Sequence, residues 1–394
     1  MALGWSKNGV MPIAVDFGFD SLKLLQISPG DPPQMVAAAA AEVPDEARHD
    51  PAMRHAAYAA SLRQLLADQP FKGRRAICSI PAYQTLVQNL QIGKGEHEEV
   101  DAQVDLHLRQ RLNVDPSRMV VRSFCVGESG GNGSARQEVV CIAASREVVL
   151  RHIDIARRAK LDVVGMHCEP LAILKSFAYL YRRQGNEMRT TCFIDIGAAT
   201  TKVIVAHGAR MVFAKTIHTA GDQLIRSFAE SRGIDAAQAR RQRRDSAATT
   251  EPQPEMAAVA DERSANVAAP QRPRAGLAVI DGPEDEPDHD APAQATAGDA
   301  FDCLIDELQL CIRYHHSVFP DRTIEKLVFL GGEARQVETC QKLAQALRIG
   351  AQLGDPLSRM APSDKTKAPT GVNLREPQPG WAVPIGLCHC DANL

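Results

Sequence analysis

Two stretches of this sequence share a pattern of apolar runs on either side of a polar turn. Residues 13–27 begin with a β-branched run, reach Asp16, turn, and return as a second alternating run. Residues 193–205 repeat this plan around Asp195 and the following Gly197. Each stretch predicts a β-hairpin whose first strand ends at an aspartate.

Such a hairpin has the chemistry of a phosphate site. Small turn residues let the backbone approach phosphates, hydroxyls and N–H groups donate to them, and the carboxylate faces a hydrated metal ion. One hairpin alone is weak evidence, because an ordinary turn can also begin with an Asp, but two copies predict related half-domains that clamp one nucleotide. The predicted metal ligands for Mg²⁺ are Asp16 and Asp195. The predicted phosphate contacts are Gly18, Ser21, Lys23, Gly197, Thr200 and Thr201.

The region between the hairpins predicts a small α+β unit. Residues 74–166 alternate short strands with two helices, and the helix at 96–112 carries Val100, Val104 and Leu108 at four-residue spacing. We therefore expect a subdomain inserted into the first half of the chain.

The second half adds a helix start and then changes composition. Gly221 and Asp222 open a predicted helix, whose free N–H groups suit an oxyanion, and a basic helix follows at 234–244. Residues 245–300 are rich in Ala, Pro, Glu and Asp and predict disorder, because they bury too little apolar surface to offset ordering entropy. Within them, 276–280 is an apolar island, read either as a docking peptide or as inert linker.

Composition sets outer limits. A chain of 394 residues exceeds one ordinary core, so two lobes are expected, and a net charge of -3 gives no electrostatic footprint for nucleic acid. No apolar run reaches membrane-spanning length and the first residues lack a signal-peptide core, so a cytoplasmic location without direct membrane insertion is predicted.

The sequence 388–390 is a Cys-His-Cys cluster without a second ligand pair at zinc spacing. Five cysteines lie singly in apolar runs and are expected to be buried: Cys78, Cys141, Cys192, Cys303 and Cys311.

The order of these motifs resembles the superfamily of actin, DnaK-type chaperones and sugar kinases, and within it the PilM family of type IV pilus assembly. The closer resemblance rests on the string at 80–92, the acidic helix after it, and 161–166 leading into Glu169 and Pro170. It covers about 11–240 and 299–391. FtsA of bacterial division is similar but more distant.

The resemblance implies an α/β, actin-like two-lobed ATPase fold with duplicated ribonuclease-H-like lobes and an inserted small α+β subdomain. The implied segments are the first lobe at 11–73, the insert at 74–166, an inter-lobe helix at 167–190, the second lobe at 191–244 and 301–391, and the disordered insertion at 245–300.

The resemblance also adds site residues. Glu169 stands where relatives direct an acidic or amide side chain towards the catalytic water, although a carboxylate at a helix start is equally explained by the helix dipole. Gly331 and Gly332 match the adenosine motif. Ala220 replaces the first glycine of the family's turn, and Glu333 stands where many relatives have Gly or Ser, so weak hydrolysis at most is expected.

By this resemblance the chain binds Mg-ATP between its lobes as a cytoplasmic component of a type IV pilus, or related type II secretion, assembly machine. The insert would hold the cytoplasmic N-terminal peptide of a bitopic, PilN-like inner-membrane protein, which places the chain peripherally at that membrane. Self-association is left open. The alternatives are an FtsA-like filament, whose C-terminal amphipathic helix is missing here, and a small-molecule kinase, for which no separate catalytic base stands out.

Overall fold

The computed structural model describes residues 9–129, 136–181, 189–249, 299–360 and 371–394. The strands are β1 (Ile13–Phe17), β2 (Ser21–Ser28), β3 (Gln34–Glu42), β4 (Arg75–Ile80), β5 (Thr85–Gly93), β6 (Met119–Ser129), β7 (Arg136–Ser145), β8 (Asp162–Cys168), β9 (Thr190–Ile196), β10 (Thr201–His207), β11 (Arg210–Ile217), β12 (Lys326–Leu330) and β13 (Ala351–Leu353). The α-helices are α1 (Asp45–Arg48), α2 (Pro51–Asp68), α3 (His97–Leu112), α4 (Arg146–Arg158), α5 (Glu169–Ser176), α6 (Gly221–Arg232), α7 (Ala236–Thr249), α8 (Asp299–Val318), α9 (Val337–Leu347) and α10 (Ala382–Cys388).

Two five-stranded sheets with the same plan form the two lobes. The first has the order β3-β2-β1-β4-β8 and the second β11-β10-β9-β12-β13. In each, three antiparallel strands continue into two parallel ones through the first strand of the hairpin. The predicted two-lobed α/β fold with duplicated halves is confirmed by this shared order.

The central strands are covered on both faces. Every residue of β1 and of β9 is buried, as expected for strands that pair in parallel beneath packed helices. This double burial explains why β1 and residues 192–196 of β9 are apolar runs, each interrupted only by the aspartate near its end.

The inserted unit is smaller than the predicted 74–166. The strands β4 and β8 at its ends belong to the first sheet, where β4 pairs with β1 and β8 pairs with β4, and α4 packs on both. The separate sheet is the antiparallel set β5-β7-β6. The sequence pattern missed this boundary because strand pairing over such distances leaves no local signal.

The three-stranded sheet of the insert lies between α3 and the second lobe. Val100, Val104 and Leu108 of α3 cover one face of its sheet, as predicted. The other face joins the apolar core of the second lobe. At this junction the Asn89 amide donates to the carbonyl of Ala214 on β11 (2.8 Å) and its oxygen accepts the amide N–H of the same residue (3.4 Å).

The last helix also departs from the prediction, which placed it in the second lobe. α10 packs against α5 and against β1 and β2 of the first lobe. Its Gly386 allows this approach, because a Cβ there would stand 1.8 Å from the carbonyl oxygen of Ala172. After α10, the side chain of Asn393 bonds the backbone N–H (2.9 Å) and carbonyl (3.1 Å) of Met166 on β8.

The long insertion, the cysteines and the helix lengths compare as follows with the expectations from the sequence. The segment 245–300 lies mostly outside the described residues, together with its apolar island, but α7 extends through Thr249 and therefore into the stretch predicted to be disordered. Four of the five cysteines are buried, whereas Cys303 is exposed on the outer side of α8. Within the described part of the chain, no helix has the length and apolarity needed to cross a bilayer.

The contact between α10 and α5 generates a stability prediction. Gly386→Ala should lower the free energy of unfolding by about 1–3 kcal/mol, because the added methyl meets backbone that cannot swing aside. Gly350→Ala is the matched control, since a Cβ there meets nothing within 4 Å. Urea unfolding of both variants measures the difference, and equal stabilities would contradict the described packing.

Candidate functional site

A cleft of about 590 Å³ separates the two lobes, and the turns of both hairpins face into it. It brings together nearly all of the predicted site residues: Asp16, Gly18, Ser21, Lys23, Glu169, Asp195, Gly197, Thr200, Gly221, Asp222, Gly331 and Gly332. The exception is Thr201, which is fully buried and donates its hydroxyl to the carbonyl of Thr219 (2.8 Å). Successive residues of a strand point to opposite faces, so Thr200 faces the cleft and Thr201 does not.

The first hairpin presents a buried carboxylate. The Ser79 hydroxyl donates to Asp16 Oδ1 (3.0 Å) and accepts the amide N–H of Phe17 (2.9 Å). Burial raises the pKa of Asp16 to about 6, although the nearby Lys23 opposes this shift, and Glu169 adds to it. The carboxylate is therefore held in place by β4 while its charge is only partly compensated.

The second hairpin presents an ion-paired carboxylate. Asp195 on β9 and Lys202 on β10 are direct cross-strand partners, and Lys202 Nζ lies 2.9 Å from Asp195 Oδ1. The same ammonium lies 2.9 Å from Glu169 Oε2 at the start of α5. Burial alone would lower the pKa of Lys202, but Asp195 and Glu169 outweigh it and the pKa lies above its usual value. All three side chains are less than one-tenth exposed.

Glu169 has both carboxylate oxygens engaged. Its Oε1 accepts the amide N–H of Ala82 (3.0 Å), while Oε2 faces Lys202. The side chain thus joins the segment that follows β4, the start of α5 and the hairpin of the second lobe. Its buried position at the cleft agrees with the prediction, and its bonding gives it a structural role that the sequence did not reveal.

Glycine residues line the part of the cleft that the second lobe forms. Gly331 has φ +89°, and a Cβ there would stand 2.2 Å from the carbonyl oxygen of Ile196, so this turn after β12 requires glycine. The first N–H of α6, from Gly221, already donates to the carbonyl of Gly197 (2.9 Å). The start of α6 is thereby fixed against the hairpin turn. The neighbouring Gly332 faces open space.

Sequence reasoning missed three arginines of α7 that line the cleft. Arg240 pairs with Asp222 (3.3 Å) and with Asp45 of the first lobe (2.8 Å). Arg243 lies 2.6 Å from the carboxylate of Glu333. In addition, Arg244 lies 3.1 Å from Glu42 of β3. The basic run was visible in the sequence, but nothing local indicated that its helix bridges the two lobes.

The residues at the cleft suit a nucleotide better than they suit the predicted magnesium ion. Small residues and glycines line the space between the hairpins, as a phosphate cradle requires. A divalent cation at Asp195, however, would share that carboxylate with the Lys202 ammonium, and like charges at such short distances repel. Among the described residues, no group of three or more His, Cys, Asp or Glu side chains is arranged to hold a metal ion.

The environment of Asp16 generates a pH-dependent prediction. The folded-state pKa is raised from 3.8 to about 6, so the folded state binds the proton more tightly and stability is lost as pH rises through this window. Asp16→Asn removes the penalty and should raise the free energy of unfolding at pH 7.5, by up to about 3 kcal/mol.

The gain should shrink as the pH falls through about 6 and vanish below the unfolded-state pKa of 3.8, where the wild-type carboxyl is neutral in both states. Urea unfolding across this pH range is the measurement, with Asp101→Asn on the exposed side of α3 as the control. A variant that is less stable than the wild type at pH 7.5 would show that the carboxylate charge is satisfied.

Comparisons with known proteins show which proteins share this architecture. The family model "Type IV pilus assembly protein PilM" matches residues 14–256. A solved PilM-PilN type IV pilus biogenesis complex is similar in fold, with a TM-score of 0.70, 18% identity, and coverage of 96% of this chain and 98% of that one. The ethanolamine utilization protein EutJ from Carboxydothermus hydrogenoformans has a TM-score of 0.51 at 13% identity, with 98% and 92% covered.

No curated protein matches the sequence significantly, and at these identities the structural likeness shows the fold alone. The family model, in contrast, spans more than half of the chain, including both hairpins, the insert and the start of α6. The chain belongs to the PilM family of type IV pilus assembly proteins.

Proposed function

We propose that this PilM family protein binds ATP in the cleft between its lobes and holds the cytoplasmic N-terminal peptide of a PilN-like inner-membrane protein. The observation that carries the nucleotide part is the pair of hairpin turns facing one another across the cleft. The partner part is supported by the similar PilM-PilN complex. Through that partner the protein is peripheral at the inner membrane.

The phosphates of the nucleotide would lie between the two turns. Gly18, Ser21 and Lys23 offer a hydroxyl, an ammonium and close backbone on one side, and Gly197 with Thr200 offer the same kind of surface on the other. The nucleoside would lie against Gly331 and Gly332, and at Gly332 the absence of a side chain leaves the backbone open to the cleft. We assign no magnesium-dependent step, because the Lys202 ammonium already occupies the Asp195 carboxylate.

The bonding of Glu169 supports binding with slow hydrolysis at most. Turnover needs a water held in line with the γ-phosphate, and a carboxylate orients such a water only with an oxygen that faces it. Each oxygen of Glu169 already has one protein partner, Ala82 for Oε1 and Lys202 for Oε2, which fixes the orientation of the carboxylate and leaves it fewer lone pairs for a water molecule. In this proposal Glu169 holds the lobes together more than it positions a water molecule.

The insert is the proposed partner module. One face of its sheet is fixed to the second lobe, whereas α3 on the other face presents an outer side with the half-exposed Leu106. The outer strands β5 and β6 flank this helix. An extended peptide would add to a strand edge or lie in the groove between insert and lobe.

Lys23→Ala tests nucleotide binding. The side chain faces the cleft beside Asp16, so its loss should weaken ATP binding about tenfold by removal of one phosphate-directed charge. Lys342→Ala on the exposed side of α9 should bind like the wild type. Isothermal titration calorimetry measures both, and mass spectrometry of the denatured protein checks for retained nucleotide. Wild-type affinity in Lys23→Ala would contradict the phosphate location.

Leu106→Glu tests the partner surface. Leu106 is 51% exposed on α3 and Leu150 is 63% exposed on α4, outside the insert. A synthetic peptide of the cytoplasmic N-terminus of the PilN-like protein should bind Leu106→Glu about tenfold more weakly, because a charge would enter an apolar contact. Leu150→Glu should bind it normally. Fluorescence anisotropy with labelled peptide distinguishes the two, and equal binding by both variants would remove α3 from the interface.

A further inference from the structure

Lys202 on β10 holds a positive charge at a fixed place in the second hairpin. Its partnership with Asp195 is fixed by the register of the β9–β10 hairpin, and its second partner, Glu169, comes from the start of α5. The side chain is 8% exposed, so this positive charge does not have the freedom of a surface lysine. It nevertheless lines the cleft.

The ammonium also lies beneath the phosphate turn. A Cβ built on Gly197 would stand 3.4 Å from Lys202 Nζ, so the charge is next to the backbone that would contact phosphate. An ammonium has three donor hydrogens, and the two carboxylates at 2.9 Å account for two of them. One donor is left for a phosphate oxygen between the hairpins.

We propose that Lys202 replaces the divalent cation, so that this protein binds nucleoside triphosphates without requiring Mg²⁺. The inference rests on the proposed nucleotide-binding function and specifies its chemistry. The lysine ammonium balances one of the two negative charges of Asp195 and Glu169, and its remaining N–H donor presents positive charge to the phosphates. Lys23 supplies a second ammonium on the opposite hairpin.

The two cations exclude one another at Asp195. Magnesium binds carboxylate oxygens at about 2.0–2.1 Å, which would place it within about 5 Å of an ammonium that shares the same carboxylate. Releasing Lys202 to make room would leave a buried ammonium without its partners, a costly arrangement. The Lys202 ammonium is therefore favoured over Mg²⁺ as the cation beside Asp195.

The test compares ATP binding by the full-length wild type in millimolar Mg²⁺ and in excess EDTA, measured by calorimetry. We expect the two dissociation constants to agree within about threefold. A loss of about tenfold or more in EDTA would overturn the inference while leaving nucleotide binding intact. Absence of binding under both conditions would instead refute the proposed nucleotide function, and the inference with it.

A charge-balanced variant provides the complementary arm. Lys202→Met combined with Glu169→Gln removes one charge of each sign and leaves the Asp195 carboxylate free, and circular dichroism checks its fold. Its ATP binding should become Mg²⁺-dependent by about tenfold, and Mn²⁺ alone should give a bound signal by paramagnetic resonance that the wild type lacks. Metal-independent binding equal to that of the wild type would show that Lys202 contributes nothing, and would overturn the inference.

Discussion

Three buried charges, Lys202 between Asp195 and Glu169, form the centre on which this structure depends. A buried charge is tolerated only when its partners are in place, and loss of one partner costs about 3–5 kcal/mol. The three residues come from β9, β10 and the start of α5, so the second hairpin and the inter-lobe helix must assemble together. The bond from Ala82 to Glu169 extends this requirement to the first lobe.

Contacts of two different kinds span the lobes around this centre. Apolar packing joins the insert to the second lobe and α10 to α5, and it is not weakened by ionic screening. The pairs of Arg240 with Asp45 and of Arg244 with Glu42 are partly exposed, and such pairs contribute little and weaken with salt. Breaking the exposed ion pairs of α7 therefore costs less than separating the insert from the second lobe.

Much of the site was predictable because its signals are local. Each hairpin consists of fifteen or fewer consecutive residues, and the alternation of small, polar and apolar positions predicted Asp16, Asp195 and Gly197 at the cleft, where they lie. The prediction from this alternation failed only for Thr201, whose side chain is buried instead of facing the cleft.

The parts that were missed depend on contacts between distant segments. The pairing of β4 with β1 and of β8 with β4, which makes the insert smaller than predicted, joins residues more than sixty positions apart. The partnership of Lys202 with Glu169 and the reach of the α7 arginines to Glu42 and Asp45 are also properties of the assembled fold. Hydrophobic periodicity carries no information about such pairs.

The return of α10 to the first lobe has a consequence for how the protein is made. The Cys388 thiol lies against the carbonyl of Leu25, and Asn393 bonds Met166 on β8. A ribosome delivers the strands of the first sheet long before these last residues emerge. During that interval the face later covered by α10 stays open, and exposed apolar surface of this kind promotes aggregation. The order of elements along the chain therefore leaves this surface uncovered until α10 has been synthesised.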